Sequence, residues 1–255
     1  MTKYSFRAAV LALCSICGFS TANANLITVV NWNFQTPDVT GEPNKLLYNP
    51  SAVPGVGWTF NPASGITAND GAFLMENALD GSNVVSSNGQ GAFIQNAEFN
   101  PEGPLSGSIS QTLNGFNIGG SYVVRFMVEG RQNPVYGTNP LAVTLGGQTL
   151  TFTYNNTQTV EPIAGTTFYT YTSVPITISS TSASLVFTGT ANPVGGDKTT
   201  FVDNVQVYSP GDNIGPAFGP DAPGTPVPEP GTWAAAALLV GGAAFARWRK
   251  RARIS

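Results

Sequence analysis

The chain has 255 residues, of which 42% are hydrophobic and only 10% are charged, and it contains no histidine. The missing histidine excludes a Ser-His-Asp triad and a histidine-ligated metal site. The formal net charge is −3, but all 14 acidic residues and only four of the 11 basic residues lie between positions 25 and 229. This region has a charge of about −10 and is therefore a poor partner for nucleic acid or anionic lipid headgroups.

The N-terminus has the composition of a secretory signal peptide. Two basic residues precede an apolar run at positions 8–19, and Ala22 and Ala24 supply the small residues of an A-x-A cleavage site. Export through the Sec translocon and cleavage by signal peptidase after Ala24 would begin the mature chain at Asn25. Both cysteines precede this point, so the mature protein would have no disulfide, thiol nucleophile or lipidated cysteine.

Residues 25–209 are predicted to form one all-β domain, because short runs of β-branched and aromatic residues alternate with polar ones and end at Gly, Pro or Asn. No run shows helical spacing over three turns. We expect a jelly-roll sandwich with long loops at 36–56 and 129–140, and a hairpin turn at Gly146-Gly147-Gln148. The predicted strands are 26–34, 57–60, 72–75, 92–94, 107–113, 121–129, 141–145, 149–154, 167–178, 184–188 and 200–208.

Five motifs along this domain look like those of the galactose-binding-like, carbohydrate-binding-module type of jelly roll. They are Asn-x-Asn-Phe at 31–34, Gly-Trp at 57–58, Gly-x-Ile-x-Gln-Thr-Leu at 107–113, Gly-x-Tyr-x-Val-x-Phe at 120–126 and Phe-Val-Asp-Asn-Val at 201–205. The resemblance implies a glycan-binding fold.

The same resemblance implies a structural calcium ion, which many members hold between the N-terminal strand and an aspartate of the last strand. Asp203 matches that aspartate, whereas Gln35 stands where many relatives have glutamate. A second interpretation of Asp203 stays open, since an acid in a strand can also be satisfied by backbone N–H donors.

The other acidic residues allow two interpretations. Two carboxylates at the right separation could hydrolyse glycosidic bonds. The plainer alternative is that these acids are solvated or cap turns, as in Asp80-Gly81. The candidates are Glu76, Asp80, Glu98, Glu102 and Glu129.

Aromatic side chains could supply a platform on which sugar rings stack. Trp32 and Trp58 have strand spacing and are predicted to be core residues. Tyr136 lies in a polar loop near Arg131 and is the predicted ligand contact. Tyr169 and Tyr171 are further aromatic candidates.

Residues 210–226 form a linker whose prolines and glycines should prevent it from packing a core. Pro228, Glu229 and Pro230 follow, and an uncharged apolar run then predicts one transmembrane helix at 232–247. The basic tail should stay in the cytoplasm, which places the domain on the other side of the membrane. The residues that set this orientation are Arg247, Arg249, Lys250, Arg251 and Arg253.

Residues 227–255 resemble the PEP-CTERM sorting signal of exported bacterial proteins, because a Pro-Glu-Pro tripeptide, an apolar span and an arginine cluster follow one another. The resemblance implies recognition by an exosortase, a membrane cysteine transpeptidase that removes such tails in bacteria that make exopolysaccharide or biofilm matrix. The alternative is a permanent membrane anchor on a proline-rich stalk. We expect anchoring in the inner membrane, followed by release to the cell surface or extracellular matrix.

Three functions are compatible with these features. The expected one is a non-catalytic surface or matrix protein that associates with exopolysaccharide through a glycan-binding sandwich. The alternatives are a secreted polysaccharide-active enzyme and an adhesin that binds proteins through sheet edges or loops. The missing histidine and the scarcity of charge argue against the enzyme.

Overall fold

The computed structural model describes residues 26–82, 84–99, 103–132, 137–193, 196–212 and 219–220. In this part of the chain, no helix is both long and apolar enough to cross a membrane. The predicted signal peptide with Ala22 and Ala24, the Pro228–Pro230 motif and the transmembrane helix with its basic tail all lie outside the described residues.

The described residues form fourteen β-strands and two short 3-10 turns, the latter at Pro43–Lys45 and Pro50–Ala52. The strands are β1 Leu46–Tyr48, β2 Thr59–Phe60, β3 Ser64–Ala68, β4 Gln90–Phe99, β5 Gly103–Ser106, β6 Ser108–Asn114, β7 Ser121–Gly130, β8 Leu141–Leu145, β9 Gln148–Thr149, β10 Thr159–Val160, β11 Tyr169–Thr172, β12 Ile176–Thr177, β13 Ser182–Gly189 and β14 Asp197–Tyr208.

Two antiparallel sheets make a β-sandwich, which confirms the predicted all-β class. The eight-stranded sheet has the order β1-β3-β4-β14-β7-β11, with β5 added to β4 and β12 added to β7. The six-stranded sheet has the order β10-β8-β13-β6-β2, with β9 added to β8. From β6 onward, the longer strands β6, β7, β8, β11, β13 and β14 alternate between the two sheets along the chain. Apart from the local pairs β4–β5 and β8–β9, the strand pairs therefore join residues well separated in sequence.

The main core lies between the sheets and is rich in aromatic rings. Phe126 meets Phe187 edge-to-face at a centroid distance of 4.9 Å and Phe152 at 5.5 Å. Trp58 packs 5.2 Å from Phe34 and is buried, as predicted. Burial of each such side chain contributes about 1.5–3 kcal/mol, and favourable ring geometry adds to this.

A second, smaller core covers the outer face of the eight-stranded sheet. Residues 69–82 and 84–89, here called the covering segment, pack Phe73, Met75 and Leu79 onto this face. As a result β7 is buried on both faces, whereas β6 and β13 bury mainly alternate residues. The strand predicted at 72–75 is wrong: these residues are irregular, and Leu74 has φ +60°. Phe73 and Met75 face the sheet from a loop, whereas Leu74 is exposed.

The strand predicted at 26–34 is also wrong. Ile27 makes a single bridge to Val207, and the chain then turns. Side-chain amides replace a strand partner here. Gln111 accepts a hydrogen bond from the Val30 N–H at 2.8 Å and donates one to the Val30 carbonyl at 2.9 Å. Burial alternates only as far as Val29, and both backbone groups of Val30 bond glutamine in place of a strand partner.

Other strand boundaries differ more modestly from the predictions. The hairpin turn is confirmed, with φ +59° at Gly146 and +78° at Gly147 and with Leu145 paired to Gln148. The strand predicted at 149–154 shortens to Gln148–Thr149, and the strand predicted at 167–178 splits into β11 and β12. The loop predicted at 36–56 contains β1, and β3, β5 and β10 were not predicted.

Part of the predicted linker contacts the sandwich. The Thr170 N–H donates to the Pro220 carbonyl at 2.8 Å, and its hydroxyl donates to the Gly219 carbonyl at 3.3 Å. A Cβ on Gly219 would lie 2.7 Å from Met127 Cε, so glycine permits this close approach. Residues 219 and 220 of the predicted linker thus lie against the β11 edge of the eight-stranded sheet.

Candidate ligand-binding site

A connected set of polar side chains lies at one end of the outer face of the eight-stranded sheet. We call Tyr48, Gln95, Arg131 and Asp197 the Arg131 patch. The Tyr48 hydroxyl donates to Gln95 Oε1 at 2.9 Å, and the Gln95 amide in turn donates to Asp197 Oδ1. Arg131 Nη1 donates to Asp197 Oδ2 at 2.6 Å, forming an ion pair.

Four separate parts of the chain position this patch. Tyr48 ends β1, Gln95 lies in β4, Asp197 begins β14, and Arg131 directly follows β7. Because β14 is antiparallel to both β4 and β7, its first residues lie beside the last residues of those two strands. The patch is therefore a product of the sheet order rather than of any local motif.

Aromatic rings support the polar groups from the side of the second core. Tyr48 meets Phe93 edge-to-face at 4.8 Å, and Phe93 meets Phe73 at 4.9 Å. The Arg131 guanidinium carbon lies 4.8 Å from the centroid of the Phe73 ring, within the range of a cation–π contact. Arg131 is therefore held in place both by the Phe73 ring and by its ion pair with Asp197.

The patch is buried at its base and open at its edge. Gln95 is 2% exposed and Arg131 is 7% exposed, whereas Tyr48 is 36% exposed. Burial and, after it, the Asp197 charge raise the pKa of Tyr48 to about 12, against the lowering effects of Arg131 and the Gln95 hydrogen bond. Tyr48 is therefore a neutral phenol at physiological pH. The patch offers donors, acceptors and a partly exposed ring with balanced charge, which suits a neutral hydroxyl-rich ligand.

The predicted ligand contact Tyr136 lies outside the described residues. Gly137, the next residue, accepts a hydrogen bond from the Thr199 N–H at 3.3 Å. Arg131, which lies near Tyr136 in sequence, belongs to the patch. The sequence prediction missed Tyr48, Gln95 and Asp197. The sequence contains one indication of Gln95, which is a polar residue directly after the apolar run at 92–94 that is predicted to be a strand.

Asp203 is fully buried, and both of its carboxylate oxygens accept backbone hydrogen bonds. Oδ2 accepts from the Leu79 N–H at 2.9 Å and Oδ1 from the Asn204 N–H at 2.7 Å. Burial raises the pKa of Asp203 well above its usual value, and these two hydrogen bonds lower it. The geometry agrees with the hydrogen-bonded interpretation of this residue. Among the described residues, no three acidic side chains cluster as metal ligands would. Calcium binding stays a prediction.

Among the candidate catalytic carboxylates that the structure describes, the half-buried Glu76 is a neighbour of Glu129. Glu129 is fully buried beneath the covering segment, and neither carboxylate oxygen accepts a hydrogen bond of normal geometry from a described residue. Burial raises the pKa of Glu129 to about 9; the Glu76 backbone N–H lowers it and the Glu76 charge raises it. Asp80 accepts hydrogen bonds from Ser82 in an exposed turn, which lower its pKa. Glu98 is exposed, and Glu102 lies outside the described residues.

Of the two tryptophans within the described residues, Trp58 is core and Trp32 is half-buried against both cores. The Trp58 indole N–H donates to the Asn31 carbonyl at 3.3 Å. Tyr171 is buried and donates its hydroxyl hydrogen to the Glu161 carbonyl at 2.9 Å, while Tyr169 is half-buried. None of these four rings belongs to the Arg131 patch.

No protein-family model and no curated protein matches the chain. Solved structures with similarity include the carbohydrate-binding module TmCBM61 in complex with β-1,4-galactotriose, at 14% identity and TM-score 0.43 over 71% of this chain and 97% of that one. Another is the K1 cleaved adhesin domain of Lys-gingipain from Porphyromonas gingivalis, at 13% identity and TM-score 0.38 over 65% of this chain and 98% of that one.

A third is the enzymatically active domain of tailspike protein 4 from bacteriophage CBA120, at 14% identity and TM-score 0.37. The match covers 71% of this chain and only 21% of the tailspike domain. These values assign the chain to no family.

Proposed function

We propose that this protein is an exported, non-catalytic surface or matrix protein whose sandwich, of the jelly-roll type, binds a neutral glycan at the Arg131 patch. The PEP-CTERM-like tail would direct it to an exosortase and then to the cell surface or exopolysaccharide. The observation that carries the binding proposal is the patch itself. It joins a partly exposed tyrosine ring to a carboxylate, an amide and a guanidinium through hydrogen bonds.

The chemistry of the patch favours neutral sugars over charged polymers. Ring faces pack against the C–H faces of pyranoses, and fixed amide and carboxylate groups orient their hydroxyls. The ion pair between Arg131 and Asp197 leaves no net charge at the patch. The domain as a whole is acidic, so an anionic polysaccharide would be repelled.

Replacement of Tyr48 by alanine is expected to weaken glycan binding at least about tenfold, because it removes the exposed ring and a hydroxyl that orients Gln95. Affinity electrophoresis of the full chain in gels containing neutral polysaccharides or the host's exopolysaccharide would measure this.

Tyr208→Ala is the matched control. Tyr208 lies on the same outer face at the other end of β14, next to Arg125. Equal retardation of wild type and Tyr48→Ala would contradict the assignment of the site. Binding of proteins without any retardation by glycans would favour the adhesin, and release of sugars would favour the enzyme. The burial of Glu129 supports the non-catalytic proposal over the enzyme.

The proposed export and sorting predict where the mature protein begins and ends, and therefore its mass. Recovered from the native host, it should begin at Asn25 and end between Pro228 and Gly231, with the basic tail removed. Intact-mass analysis of membrane and extracellular fractions, with both termini mapped, is the measurement.

A variant with alanine at Pro228, Glu229 and Pro230 should keep its tail, whereas Pro226→Ala, just outside the motif, should be processed normally. A wild-type protein found only in the membrane with its tail intact would contradict sorting and support a permanent anchor.

A further inference from the structure

The side-chain amide of Gln35 stands among three backbone carbonyl oxygens from different parts of the chain. Gln35 Nε2 lies 2.9 Å from the Asn33 oxygen, 2.6 Å from the Leu79 oxygen and 3.3 Å from the Gln90 oxygen. A single NH₂ group therefore ties together the N-terminal segment, the covering segment and the start of β4. Converging carbonyl oxygens are also what a hard cation such as Ca²⁺ prefers.

Asp203 is joined to this cluster through Leu79. The Leu79 carbonyl accepts from Gln35, and the Leu79 N–H donates to Asp203 Oδ2 at 2.9 Å. Asn204 Oδ1, beside Asp203 in sequence, is buried and accepts no hydrogen bond from a described residue. The surroundings thus combine carbonyl, carboxylate and amide oxygens, which is the donor chemistry of a calcium site.

The residues as arranged nevertheless do not fit a calcium ion. The position facing the three carbonyls is held by a hydrogen-bond donor, and Asp203 supplies one carboxylate whose two oxygens already accept N–H groups. We propose that the Gln35 amide performs the structural task of a cation here, so that the wild-type fold is independent of calcium. The carboxamide supplies up to two N–H donors without a net charge.

This proposal predicts that a single substitution makes the stability of the fold depend on calcium. In Gln35→Glu the donor is replaced by a carboxylate, which would face three carbonyl oxygens near Asp203 and repel them unless a cation enters. The thermal unfolding midpoint of the full chain in detergent should fall in EDTA, and excess calcium should raise it by about 5 °C or more. Wild type should show the same midpoint in calcium and in EDTA.

The matched control is Gln111→Glu. Gln111 also donates its side-chain amide to a backbone carbonyl of the N-terminal segment, but its partner is Val30, and it is buried whereas Gln35 is half-buried. This variant should be destabilised and remain insensitive to calcium. The double variant Gln35→Glu with Asp203→Asn should lose the calcium response.

Two results would overturn the proposal. One is a rise of the wild-type midpoint on adding calcium, or calcium binding to the wild-type protein in calorimetry, which needs no variant. The other is a folded Gln35→Glu variant that responds to calcium no more than Gln111→Glu does. If Gln35→Glu folds only when calcium is present, that result supports the proposal.

Discussion

Replacement of Glu129 by glutamine is expected to stabilise the protein at pH 8 and to leave its stability nearly unchanged at pH 4. Burial raises the pKa of Glu129 to about 9 in the folded state, whereas an unfolded glutamate titrates near its ordinary value of 4.5. Between these values the folded state holds a proton that the unfolded state has released. Stability must therefore fall as the pH rises through this window, by up to about 1.4 kcal/mol per pH unit.

A glutamine at position 129 does not titrate and removes this dependence. We expect a gain in the free energy of unfolding of roughly 2–5 kcal/mol at pH 8 and little difference below pH 4.5, where the carboxyl group is neutral in both states. Urea denaturation of both proteins from pH 4 to pH 8 is the measurement.

The control is Glu98→Gln, since the side chain of Glu98 is exposed and its loss should alter stability little at any pH. A Glu129→Gln protein that follows the wild-type stability curve in parallel would show that Glu129 is ionised in the folded state, and that solvent or a counter-charge reaches it.

The sandwich was predictable because its evidence is local. A strand with one buried face alternates apolar and polar side chains, and β8 and β13 retain that alternation in the fold. Gly146-Gly147 also encodes its turn locally, since both residues need positive φ and glycine adopts it without strain. Such features do not depend on which segments meet later.

The second core could not be predicted in this way. Met127 and Phe201 lie on the outward face of their strands, and Glu129 accompanies them. Their burial results from the covering segment, which joins β3 to β4 and is irregular even where residues 71–75 alternate between buried and exposed as a strand would. Nothing in the sequence near Glu129 indicates that a distant loop will exclude water from its carboxyl group.

The N-terminal segment shows how a strand-like composition can give a wrong element. Ile27 and Val29 are buried at alternate positions, but Val30 is 47% exposed and Phe34 is buried out of step with them. The Val30 backbone pairs with the side chain of Gln111, and the Phe34 carbonyl accepts from that of Gln90. Side-chain amides can satisfy backbone groups at any spacing, so hydrophobic periodicity cannot distinguish this arrangement from a ladder.

The Arg131 patch was hidden for a related reason. Tyr48 and Asp197 are 149 positions apart in sequence, and only the order β1-β3-β4-β14 places them on one face. A local search favours polar loops with an aromatic residue, and this selected Tyr136. That loop includes Arg131, but the patch residues Tyr48, Gln95 and Asp197 lie elsewhere in the sequence.

Replacement of Gly65 by alanine is expected to destabilise the protein by about 3 kcal/mol or more and to abolish glycan binding at the Arg131 patch. Gly65 lies in β3 between Tyr48 and Phe93 in the register of the sheet. A Cβ at this position would collide with the Leu47 backbone oxygen and lie 2.7 Å from a ring carbon of Phe93. Since the oxygen belongs to the backbone, relief requires β1 to move away from β3.

Movement of β1 would carry Tyr48 away from Phe93 and Gln95, so stability and binding should be lost together. Urea denaturation and affinity electrophoresis of the same preparation would test this link. Gly41→Ala is the matched control, because a Cβ there meets no atom within 4 Å. A Gly65→Ala protein of wild-type stability would show that β1 is free to shift. Normal glycan retardation by that protein would further show that the position of Tyr48 on Phe93 does not determine binding.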